Sequence, residues 1–268
     1  MFVDSHCHLD FPDFAGQLPQ LLERMRAARV GGALCISVTL TDFPAVLALA
    51  ERHPNLWATV GVHPDYPDIE EPDVATLMRL AQHPRIRAIG ETGLDYYRLT
   101  GDLEWQRERF RVHIRAAREL HMPLVIHTRQ ASADTLRIMA EEGADQAGGV
   151  MHCFTEDWPT AKAAIDMGFC ISFSGIVTFK SARSLREVAL QVPDDCLLIE
   201  TDSPYLAPVP YRGKTNQPAY VPHVAAQLAS LKDCSVGEVA AATRSNFDRL
   251  FTRCRGADAE AVQSHDLH

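Results

Sequence analysis

The strongest constraint on how this chain folds is a series of eight short apolar runs separated by amphipathic stretches. The runs cover residues 2–5, 32–38, 56–64, 86–95, 123–129, 148–154, 169–175 and 196–204. Helical periodicity fills the gaps at 18–28, 41–52, 73–82, 103–120, 132–142, 158–167 and 182–190. Two further helical stretches, 221–231 and 236–252, close the chain. Short strands that alternate with helices pair in parallel through right-handed crossovers. Eight such units predict an α/β chain folded as a single-domain (β/α)8 TIM barrel over residues 1–254. An open doubly wound sheet is the competing arrangement. Residues 255–268 lack apolar periodicity and read as a flexible C-terminal tail, whose His265 and His268 receive no role.

A hydrophobic fraction of 46% and a charged fraction of 23% are those of an ordinary globular protein. No run is long enough to span a membrane, and the first residues lack a secretory signal, so a cytoplasmic location is expected. No obligate protein partner can be inferred. The seven cysteines are scattered without a CxxC pair, which argues for reduced thiols. Cys7 and Cys153 each neighbour a candidate histidine and, by strand alternation, are expected to pack on the opposite face. The net charge of −9 speaks against coating long duplexes, yet permits local phosphate binding.

The chemistry gathers where the runs end. In "MFVDSHCHLD", His6 and His8 stand two apart and so share a face. His63 ends the third run, Glu91 belongs to the fourth, and His127, His152 and Asp202 end the fifth, sixth and eighth. In a barrel, the C-terminal strand ends converge on one face. A lone histidine after an apolar run is ordinarily a packed side chain, and His53, His83, His113 and His121, beside or within helical stretches, are left as such. The shared position of the others argues for a site. Imidazoles and carboxylates without thiolates suit zinc, magnesium, manganese or iron. His6, His8, Glu91, His127, His152 and Asp202 outnumber the three ligands of an open catalytic ion, so two divalent ions bridged by Glu91 are expected. The pair would activate a water for hydrolysis. Asp202 is expected to orient that water or take its proton, and His63 to contact phosphate or the leaving oxygen. HExxH, GxSxG and GxxxxGK[ST] are absent.

The segments "VDSHCHLD", "VGVHP", "IGETGLDYY", "VIHTR", "HCFT" and "IETDSPYLAP" resemble, in order, the motifs of the TatD family of metal-dependent deoxyribonucleases. The resemblance extends to about Phe251 and implies an amidohydrolase-like barrel that hydrolyses DNA phosphodiesters, often from a 3′ end. It further implies that His6, His8 and Asp202 share one ion with Glu91, and that Glu91, His127 and His152 hold the other. The substrate, DNA or an oligonucleotide, comes from the resemblance; the residues alone indicate a hydrolytic metal site.

Expected substrate contacts flank that site. Residues 201–222 carry Pro204, Pro208, Pro210, Pro218 and Pro222, which prevent a helix and predict a rigid exposed loop. Its Tyr205, Arg212, Lys214 and Asn216, with Tyr211 and Tyr220, are candidates for phosphate and base contacts. This stretch resembles the family's "RGKxNEP", with Gln217 in place of glutamate. Tyr96 is expected at the mouth with Asp95, Tyr97 and Arg98, and Arg129 against phosphate. Asp95 is expected either to hydrogen-bond a ligand histidine or to shape a turn. The alternative function is hydrolysis of a small ester, amide or lactone by the same metals.

Overall fold

The computed structural model describes residues 1–251. Its strands are β1 (Phe2–Cys7), β2 (Val30–Cys35), β3 (Leu56–Val60), β4 (Ile86–Asp95), β5 (Leu124–Arg129), β6 (Gly149–Met151), β7 (Phe169–Phe173) and β8 (Leu197–Ile199). They form one sheet in sequence order, and every adjacent pair is parallel. Beyond β8, the Asp202 amide donates to His6 O, the His8 amide donates to Ser203 O, and Cys7 bridges to Ser203. These contacts bring the last strand back to the first. The result is the (β/α)8 barrel, without the open edges of a doubly wound sheet. The expected tail at 255–268 lies outside the described residues.

Helices α1 (Leu18–Ala27), α2 (Phe43–Arg52), α3 (Val74–Ala81), α4 (Glu104–Leu120), α5 (Ser132–Glu141), α6 (Trp158–Asp166) and α7 (Arg183–Gln191) connect successive strands. They are followed by α8 (Val221–Lys232) and α9 (Val236–Phe251). Their starts have local causes. Proline occupies the first turn of α1, α2, α6 and α8, where a missing N–H costs nothing. Asp73 and Asp157 cap α3 and α6 by accepting the amides of Thr76 and Thr160.

Strand alternation sorts the core. Val3, Leu34, Ala88, Val125, Val150, Cys170 and Leu198 form an inner layer that packs on Phe247, Leu250 and Phe251 of α9. The opposite parity, including Ala33, Ile89 and Ile126, joins the larger cluster beneath the helices. Asn246 on α9 donates to Leu197 O and Asp194 O, which places this helix at the N-terminal end of β8. One end of the barrel is therefore filled. Above the apolar layer, Ser5 Oγ lies 3.1 Å from Ser172 Oγ, and the lining turns polar toward the other end.

α4 fixes the segment that carries His63. His113, buried on this helix, donates from Nδ1 to Arg109 O at 2.8 Å and accepts the Val62 amide on Nε2 at 3.0 Å. Arg109 donates to the carbonyls of His63 and Tyr66. Burial lowers the His113 imidazole to about 4, against the bond to Arg109 O. The unfolded chain takes up this proton near pH 6.5 and the folded chain only near 4. This part of the stability is thus complete above pH 6.5 and lost as pH falls toward 4, on the order of 3 kcal/mol. Urea unfolding across that window should show a smaller decline for His113→Gln than for wild type; equal slopes would contradict the assignment.

Candidate metal centre

Two breaks in strand register create the site. β1 slips against β2 between Asp4 and Cys7, and β4 slips against β5 between Ile89 and Thr92. Strict alternation from the inward-facing Val3 and Ala88 would turn His6 and Glu91 toward the helices. Irregularities of this kind re-aim side chains, and both residues instead join the cluster at the barrel mouth. Close backbone approach accompanies the second break: a Cβ on Gly61 would lie 2.5 Å from Gly90 Cα.

Glu91, 2% exposed, is the centre of the cluster. Its Oε1 lies 2.7 Å from His152 Nε2, 3.3 Å from His127 Nδ1 and 3.4 Å from His63 Nε2. Its Oε2 lies 3.3 Å from His6 Nε2. His6 Nε2 is in turn 3.3 Å from His8 Nε2, and Asp202 Oδ1 is 3.6 and 3.5 Å from these two nitrogens. All six residues expected as ligands meet here, and His63 with them. Three overlapping triads, His6–His152–Asp202, His6–His8–Glu91 and His63–Glu91–His127, each place their ligand atoms within 4.8 Å of one another.

The far side of each ring decides what it offers inward. His127 Nε2 lies 3.0 Å from Asp95 Oδ2, and His152 Nδ1 lies 3.3 Å from Glu200 Oε1. A neutral ring that donates outward to a carboxylate presents a bare nitrogen inward. His63 is the opposite case: its Nδ1 accepts the Asp65 amide at 3.1 Å, so its proton sits on Nε2, toward Glu91. Asp95 fills both roles considered for it, because its Oδ1 also accepts the amides of Tyr97 and Arg98. Burial opposes its ionisation, but these bonds and His127 bring its carboxyl down to about 2. Burial likewise opposes ionisation of Glu91, yet His152, His63 and His6 hold it well below the usual carboxylate range. His152 is raised, against burial, by Glu91 and Glu200. Glu200 is not among the residues expected at the site from sequence. A glutamate inside the apolar run "CLLIETDSP" was the available signal, since buried acids require partners.

Comparison with known proteins agrees with this geometry. The family model for TatD-related DNases matches residues 3–252. The chain belongs to that family. It is 47% identical over 265 residues to the uncharacterized metal-dependent hydrolase YcfH of Escherichia coli K12, covering 98% of both chains. It is 34% identical over 255 residues to the 3′-5′ ssDNA/RNA exonuclease TatD of Erwinia tasmaniensis, covering 92% of this chain and 98% of that one. The crystal structure of YjjV, a TatD homolog from Escherichia coli K12, superposes with a TM-score of 0.87 at 29% identity, covering 94% and 98%. As a TatD-family member the chain is a metal-dependent hydrolase. Among the described residues, no helix is long and apolar enough to cross a membrane.

A cavity of about 810 Å³ opens over the TatD-family cluster, with His8, His63, Glu91, His127, His152 and Asp202 in its floor. Another hollow, of about 750 Å³, lies at the opposite strand ends around Met1, Leu22 and Gly31, and no histidine lines it. Of the expected substrate contacts, His63, Tyr205 and Arg129 line the cavity over the cluster, Arg129 with its guanidinium 3.8 Å over the Tyr97 ring. Phe11, Tyr66, Cys153 and Arg98, the last expected at the mouth, also line it. Phe11 stacks on His8 at 4.6 Å, and Arg98 Nε lies 3.3 Å from Asp65. Cys7 is buried in the core as expected. Cys153 is not packed away, because β6 ends at Met151 and alternation no longer applies.

Four residues expected as substrate contacts lie outside the cavity lining. Tyr96 points to α5, its hydroxyl donating to Asp134 at 2.7 Å. Arg212 lies 3.6 Å over Phe179, and Lys214 sits above Tyr211, which stacks on Tyr220 at 3.9 Å. Neither Arg212 nor Lys214 lines the cavity, and both are exposed on the proline-stiffened loop. Asn216 is buried, donates to Thr201 O and Tyr205 O, and accepts the Gln217 amide. Asn216→Ala should therefore lower unfolding free energy by about 1–3 kcal/mol, because two carbonyls and an amide lose their partner. Unchanged stability in urea titration would contradict this structural role.

Proposed function

We propose that the chain hydrolyses DNA phosphodiester bonds from a 3′ end, with two divalent ions held at the strand ends. Glu91 carries this reading: each of its oxygens faces a different set of nitrogens. The donor set fits two cations. His152 Nε2, buried 2.7 Å from Glu91 Oε1, makes no well-aligned hydrogen bond there, and the two atoms converge so that one cation could take both as ligands. His6, His8 and Asp202 would hold one ion on the Oε2 side, and His127 and His152 the other on the Oε1 side. Imidazoles favour zinc, whereas phosphoryl chemistry also suits magnesium and manganese. When bound, the ions lower the pKa of water and neutralise charge on the attacking and leaving oxygens.

The chain's own groups supply the proton movements. Burial disfavours the Asp202 carboxylate, but His8, His6 and His152 keep it ionised below its usual range. It lines the cavity and accepts the proton of the attacking water. His63 presents Nε2–H to the same space and donates a hydrogen bond to the leaving oxygen, which takes its proton from solvent. Arg98 and Arg129 at the cavity wall receive phosphates, and Phe11 and Tyr205 offer ring faces to bases. The exonuclease name of the 34% identical relative supports nucleic acid as the substrate.

Protein stripped with a chelator should lose activity on labelled single-stranded oligonucleotides and regain it with zinc, magnesium or manganese. Glu91→Ala and Asp202→Asn should be inactive, and His63→Ala should lower kcat by about 10²–10³-fold, as for loss of one donor to a developing oxyanion. Full turnover by metal-free Glu91→Ala would refute the mechanism. Arg98→Ala and Arg129→Ala should lose more activity on oligonucleotides than on a small phosphodiester. Equal losses on both would favour a small-molecule ester, amide or lactone hydrolase.

A further inference from the structure

Glu200 is fully buried just beyond β8, with its amide donating to Phe173 O. One carboxylate oxygen lies 3.3 Å from His152 Nδ1, and the other has no hydrogen-bond partner among the described residues. A buried acid with one imidazole contact is weak evidence of a folding role, since apolar side chains in place of such a pair are often neutral or stabilising. Its value lies elsewhere. His152 has two nitrogens that can carry the proton, and a carboxylate stands beside each: Glu200 at Nδ1 and Glu91 at Nε2, 2.7 Å away. Were the proton on Nε2, the ring would simply hydrogen-bond Glu91 and present no lone pair at the cluster.

We infer that Glu200 is a positioning residue: it accepts the Nδ1 proton of His152 and so turns the Nε2 lone pair onto the Glu91 Oε1 side. Asp95 does the same for His127 from the opposite nitrogen, so the two carboxylates aim two differently oriented rings at one oxygen. The His152 plane is also fixed by stacking on His6, with centroids 3.8 Å apart, which leaves proton placement as the remaining freedom. The inference rests on the reading of His152 as an ion ligand and requires no particular substrate.

The test measures ion affinity of the stripped full-length chain by calorimetric titration with zinc and with manganese, for wild type, Glu200→Leu and Glu200→Gln. Loss of an outer carboxylate partner should weaken one of the two ions by about 10–100-fold in Glu200→Leu and by less in Glu200→Gln, whose amide oxygen can still accept from Nδ1. Metal-free Glu200→Leu should unfold at a lower temperature, since buried His152 loses a partner, so ion affinity is the deciding readout. A merely structural role predicts a lower unfolding temperature with unchanged affinity, and that result would overturn the inference. If Glu200→Leu does not fold, wild-type affinity in Glu200→Gln overturns it equally. Wild-type protein that takes up neither ion would refute the site reading itself, whereas ion binding without nuclease activity would leave this inference standing and refute only the substrate.

Discussion

A buried carboxylate surrounded by imidazole nitrogens is the constraint on which the rest of the molecule depends. Removing Glu91 from water is costly, and the cost is offset only by close opposite charge and complete hydrogen bonding. The barrel meets this demand with its backbone. The Glu91 amide donates to Ser37 O, that of His63 to Val38 O, that of His152 to Ile126 O and that of Asp202 to His6 O. His63, His152 and Asp202 are thereby pinned to the neighbouring strand or its extension, and Glu91 to the segment that follows β2. The cluster is part of the rigid sheet, which is what ligand geometry needs.

The two ends of the cylinder divide the work. At one end, aromatic side chains of α9 seal the inner layer against solvent. At the other, register breaks admit polar side chains where an apolar layer would otherwise continue. The Ser5–Ser172 contact marks the transition between them. Outside the sheet, α4 acts as a brace: His113 and Arg109 hold the segment after β3 by its backbone groups, so His63 is set by a helix that never enters the cavity.

Much of this is legible in the sequence because it is local. Apolar runs of strand length, proline at helix starts and histidines at run ends are each decided within a few residues, and together they give the barrel and its ligand set. What is not legible depends on neighbours distant in the chain. The slips that turn His6 and Glu91 inward are set by pairing with β2 and β5, not by their own alternation. Glu200 reads as one more strand residue until His152 is found beside it. Asn216 looks available for substrate, but it is buried and the carbonyls of Thr201 and Tyr205 already engage it. The side chains that do reach the cavity wall, Phe11, Tyr66 and Arg98, lie in connecting segments beyond the strands, where no periodicity reports direction.

Anomalous diffraction from crystals grown with manganese tests the central claim most directly. Two peaks should flank Glu91, about 3.5–4 Å apart as in other two-metal sites, one nearest His6, His8 and Asp202 and the other nearest His127 and His152. A single peak on one side of the carboxylate, or two peaks that leave Glu91 uncoordinated, would contradict the account.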